Sequence, residues 1–77
     1  MTTAARADRE VIRAAAAAIR HIAAQDQYRN GQYPTAAFNM ALVLDELALH
    51  ATSLPDDLRA AVAAACRRII KDGADDY

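Results

Sequence analysis

Between Pro34 and Ala51 the apolar side chains recur at helical spacing on two sides of the chain. At 100° per residue, Ala37, Met40, Ala41, Leu44, Leu47, Ala48 and Ala51 fall on one face. Phe38, Leu42 and Leu49 fall on another, with Asp45 between the two. A helix that is apolar on both sides needs neighbours on both sides. The rest of the pattern predicts only two more helices. Residues from about 4 to 29 carry a single stripe, Ile12, Ala15, Ala16, Ile19, Ile22 and Ala23, at i, i+3, i+4 and i+7 spacing. Residues from about 54 to 72 carry Leu58, Ala61, Val62, Ala65 and Ile69 as their inward stripe.

The breaks between these segments have recognisable chemistry. Thr2 or Thr3 is placed to cap the first helix, with Asp8 and Glu10 early, towards the positive end of its dipole. Asn30-Gly31 ends it, because glycine takes a left-handed cap conformation cheaply. Pro34 fits the first turn of the second helix, where its missing N–H has no intrahelical partner. Ser53-Leu54-Pro55-Asp56 reads as a capping-box variant opening the third. Lys71 falls in the last turn, Gly73 ends the helix, and Ala74 to Tyr77 form a tail. Short connections force neighbouring helices antiparallel. The expected fold is a single all-α domain, a small three-helix bundle: a helical hairpin plus a third packed helix, with an alanine-rich core.

Composition sharpens the question of what covers the second stripe. Roughly a quarter of the 77 residues are alanine, which adds apolar character but little volume. At about 25 cal/mol per Å² of buried apolar surface, so thin a core roughly balances its own conformational entropy. Self-association is the usual remedy, and a homodimer is the expectation. A net charge of -1 argues against a generic nucleic-acid or membrane-surface binder. The lone Cys66 has no internal disulfide partner, so nothing points to an oxidising compartment. The longest uncharged apolar run falls far short of the ~20 residues that span a bilayer, and the N-terminus has no signal-like apolar stretch. A cytoplasmic protein without a cofactor is expected.

The candidate protein interface is Tyr33, Phe38, Leu42, Asp45 and Leu49, with Tyr28 near its upstream end. Aromatic residues are enriched at interface cores. The bland alternative is that the first helix covers one side of the second and the third covers the other. A second class of function rests on basic residues. Arg6, Arg9, Arg13 and Arg20 share a flank of the first helix, and Arg67, Arg68 and Lys71 cluster at the end of the third. They offer phosphate contacts to a nucleic-acid-associated regulator. Against that, an antiparallel layout brings Asp56 and Asp57 beside the first helix, where surface pairs would absorb its arginines. His21, His50 and Glu46 do not converge on the three or four ligands that zinc requires, so no metal is expected. An i,i+4 contact between Glu46 and His50 is the simpler account. Cys66 reads as a small core residue and Ser53 as a cap. No acid–base constellation emerges, and the chain is read as a non-enzyme.

Gly31-Gln32-Tyr33-Pro34-Thr35-Ala36, entering one helix after another, resembles the G-x-Y-x-x-A turn of a tetratricopeptide hairpin. Gly31 to Ala51 is also similar to the second helix of HEPN-type helical domains, although no histidine follows to match the arginine–histidine pair of those ribonucleases. Both resemblances imply a helical hairpin. The function expected from the residues is a helical protein–protein interaction module: an adaptor, an accessory subunit or an inhibitor of a larger protein.

Overall fold

A computed structural model describes the backbone of residues 3–75 and the side chains of residues 3–72. The protein is a small all-α three-helix bundle. Helix α1 spans Thr3–Asn30, α2 spans Thr35–Leu49 and α3 spans Asp56–Asp75, with one 3-10 turn, Ala51–Ser53, before α3. At ~1.5 Å per residue α1 runs the full length of the molecule, whose longest dimension is 42 Å.

Glycine chemistry sets the first boundary. Gly31 sits at φ 70°, and its N–H donates to the Gln27 carbonyl at 2.8 Å, closing α1 with a left-handed cap. Pro34 stands at the N-cap of α2, one place before the first turn, and its carbonyl accepts from the Phe38 N–H at 3.1 Å. Three sequence expectations are corrected at the other boundaries. Ser53 lies in the 3-10 turn and makes no capping-box bond; the Asp57 carboxylate instead accepts from the Leu58 N–H at 2.9 Å. Asp56 and Asp57 supply the first-turn negative charge of α3. Helix α3 passes through Gly73 to Asp75, so Gly73 does not end it and Lys71 is not in its last turn. An interior glycine costs a helix only about 1 kcal/mol. The first turn of α1 holds no acid, and Thr2 and the end of the expected tail, residues 76–77, lie outside the described residues.

Helix α1 is the common partner of the other two: α2 and α3 each pack along it and make little direct contact with each other. The reason can be read around its circumference. Arg20, which pairs with α2, and Asp8, which pairs with α3, stand about 120° apart at 100° per residue. Two helices seated so on a third have axes roughly 15 Å apart, beyond the ~8–10 Å of packed helices. The core where all three meet is Ile12, Ala15, Ala16, Ala41, Leu44, Ala48 and Cys66, with Ile19, Leu47, Val62, Ile69 and Ile70 packed on its edge. Alanines let α2 approach α1 closely, so few bulky side chains are needed to exclude water.

The inward side of α3 is also corrected. Arg59, Ala63 and Cys66 are buried, with Val62, Ile69 and Ile70 partly so. Leu58, Ala61 and Ala65, expected inside, are exposed. The helix is turned by nearly one residue so that Arg59 reaches Asp8 of α1 at 3.0 Å, with both residues buried. Apolar periodicity is blind to such a pair.

Cys66 is free and buried, and that burial pushes its thiol pKa up. The folded state therefore favours the neutral thiol. Its share of stability is intact below the ordinary thiol range and declines as pH rises above it. In native buffer Cys66 is expected to react with DTNB only as fast as the bundle opens, and rapidly in denaturant. Complete labelling of native protein at the rate of a free cysteine would show the site to be open.

Candidate docking face on α2

Helix α2 (Thr35–Leu49) meets α1 along one line, Ala41, Leu44 and Ala48, all buried. Farther than about a quarter turn from that line, the described residues leave α2 largely uncovered. On one flank Leu42 is 57 % exposed and Leu49 65 % exposed, and neither is covered within a single subunit. Phe38 is half-buried beneath Tyr33, with ring centroids 5.1 Å apart in a tilted arrangement. The pair fixes the upstream end of the stripe, as tilted aromatic contacts do.

Asp45 also lies on this flank, where it pairs with Arg20 of α1. That bond ties α2 to α1, leaving the carboxylate as a held rim rather than a free contact. The other flank is barer than the sequence indicated. Met40 belongs to the face expected to be covered, yet it is 51 % exposed, and Val43 is exposed to the same degree. Leu47 is half-buried against the core edge. One neighbour covers a narrower arc than two would, and Met40 lies outside that arc.

Between the flanks an open groove of about 440 Å³ is lined by Leu42, Val43, Glu46, Leu47, His50 and Leu54. Its walls are apolar, and its polar side chains are Glu46 and His50, which stand 3.7 Å apart one turn from each other. A second concavity is one flank of α1 alone, His21, Ala24, Gln25, Tyr28 and Arg29, with no other element to enclose it. His21 contacts Gln25 there at 3.3 Å.

The basic residues divide into paired and unpaired. Arg9 and Arg13 flank Glu10 at 3.5 and 3.6 Å, and Arg20 holds Asp45. Arg59 binds Asp8 and, at 2.9 Å, Asp56, while Arg67 reaches Asp8 at 3.5 Å. The pairing between α1 and α3 is thus the reverse of the expected one: α1 supplies the acid and α3 the arginines. The hydrogen bond to Asp8 raises the Arg59 pKa, outweighing the opposing effect of desolvation. Arg6, Arg29, Arg68 and Lys71 are exposed and have no acidic partner among the described residues.

No group of three or more His, Cys, Asp and Glu side chains comes together among the described residues. None of their helices is long and apolar enough to cross a membrane. Comparison with protein-family models, with curated proteins and with solved structures gives no match.

Proposed function

We propose that the protein is a helical interaction module that holds another protein surface against α2. The observation that carries this reading is the exposure of Leu42 and Leu49 in a chain whose own third helix turns away from them. An uncovered apolar helix face on a small domain is either a binding surface or an aggregation hazard. Recognition of this kind is helix-on-helix: apolar anchors supply affinity, and the fixed Asp45 and Tyr33 at the rim set orientation. An adaptor, accessory subunit or inhibitor fits such a surface. A buried free thiol suits the reducing environment of the cytoplasm. The nucleic-acid reading is weaker, because five arginines are already engaged by acids of the same chain, leaving Arg6, Arg29, Arg68 and Lys71 unpaired among the described residues, of which only Arg68 and Lys71 are neighbours on one helix.

The test is tagged capture from the native host with wild type and with Leu42→Asp/Leu49→Asp in parallel. A species recovered in stoichiometric amount by the wild type, whether another protein or an untagged second copy, should be lost from the variant. Circular dichroism should show the same helix content in both, since the replaced side chains are more than half exposed and lie outside the core. Equal recovery by the two proteins would refute the reading.

A further inference from the structure

We infer that the occupant of the α2 groove is α3 of a second copy of this chain, in a two-fold dimer in which each α2 lies against the other copy's α3. The inference rests on the reading of α2 as a docking face and names its partner. Four observations point to this pairing.

The first is position. Met40, Val43 and Leu47 share the flank of α2 opposite Asp45, and Leu54, which leads the chain into α3, lines the groove on that side. This flank therefore borders the gap between the two outer helices. On α3, with Arg59, Ala63 and Cys66 turned inward, Leu58, Ala61, Ala65 and Arg68 fall within about a quarter turn of each other on an exposed side. One open surface thus runs across both helices, with α1 beneath it.

The second is size. The outer side of α2 is bulky, whereas that of α3 is small between Leu58 and Arg68, so leucine and valine of one copy can seat over Ala61 and Ala65 of the other. Alanine on one side allows helix axes to close to the short end of the ~8–10 Å range. Pairing α2 with α2 would set bulk on bulk, and α3 with α3 would leave the groove unfilled.

Charge is the third. Helix α2 contains no lysine or arginine, and its exposed acid, Glu46, is on the groove. Of the exposed cations of α3, Arg67 is held by Asp8, while Arg68 and Lys71 have no acidic partner among the described residues. Pairing α2 with the second copy's α3 puts opposite charges together twice, with Asp72 of α3 one turn beyond Arg68. Pairing α3 with α3 would set Arg68 and Lys71 against themselves.

Area is the last. Met40, Leu42, Val43 and Leu58 each leave about half or more of their surface open. With the α3 alanines they approach the ~600 Å² at the upper end of apolar patches on monomers. Adding the polar rim brings the face near the ~800 Å² per partner of a standard interface.

Sedimentation velocity on the full chain, from micromolar to hundreds of micromolar, tests this. Wild type should pass from monomer to dimer mass with rising concentration. Glu46→Arg and Arg68→Glu should each raise the dissociation constant about tenfold or more, since each change enters a two-fold interface twice. The two changes combined should return it close to the wild-type value. Both residues are exposed, so helix content should hold throughout. A wild type that stays monomeric at every concentration overturns the second copy as occupant; if capture still depends on Leu42 and Leu49, the docking role of α2 survives with a different protein. A dimer that forms but is not rescued by the double exchange overturns the α2–α3 pairing alone.

Discussion

Ile12→Ala is expected to cost about 3–4 kcal/mol, most of the stability that a chain of this size has. Ile12 is wholly excluded from solvent, and it is the largest fully buried side chain, at the point where all three helices converge. Four of the residues in its cluster are alanines, whose methyl groups have no rotamer by which to fill the space it would vacate. A cavity left unfilled adds its own cost to the lost transfer energy. At ~0.05–0.15 kcal/mol per residue the whole chain has on the order of 5 kcal/mol to lose. Urea denaturation followed by circular dichroism should show the midpoint fall by more than half. Tyr28→Ala, at a residue 92 % exposed near the end of α1, should shift it little. Similar midpoints for both variants would mean that Ile12 does not anchor the core.

Asp8→Ala should cost about 3 kcal/mol by the same measurement, through electrostatics rather than volume. Asp8 is only 9 % exposed and accepts from both Arg59 and Arg67 of α3. Removing it leaves the Arg59 guanidinium, itself 8 % exposed, with Asp56 as its one remaining acid. Replacing both members, Asp8→Leu with Arg59→Met, should recover most of the loss, because a buried pair seldom outperforms well-packed apolar side chains of similar volume. A single replacement costing under 1 kcal/mol would show the pair to be solvated. The raised Arg59 pKa keeps that residue charged across the ordinary range. Its contribution is present below the usual arginine value and would disappear only as pH rose through the still higher folded-state value.

These two residues mark where the sequence was legible. Helix number, the Gly31 stop and the Ile12, Ala15 and Ala16 stripe follow from local rules: period, capping and propensity act within a few residues. The exposed stripe of Leu42 and Leu49 was legible for the same reason, as an excess of apolar positions over available neighbours. What escaped depends on partners distant along the chain. Asp8 reads as a dipole-favoured surface acid until Arg59, 51 positions on, is seen beside it. That pair goes with the turn of α3, by which Leu58, Ala61 and Ala65 were misassigned together while Val62 and Ile69 fell on the core edge. Met40 was placed inside because periodicity gives the direction of a side chain but not the width of the arc a neighbour covers. A buried-acid signal existed in principle: Asp8 lies four residues before Ile12, on the same side of α1.

The two outer helices share α1 but no seam of their own. Their side chains still meet in one interior around Ile12, so α1 carries most of what joins them. Cooperativity passes through the middle turns of α1, which act as a keystone: fraying around Ile12 releases both outer helices.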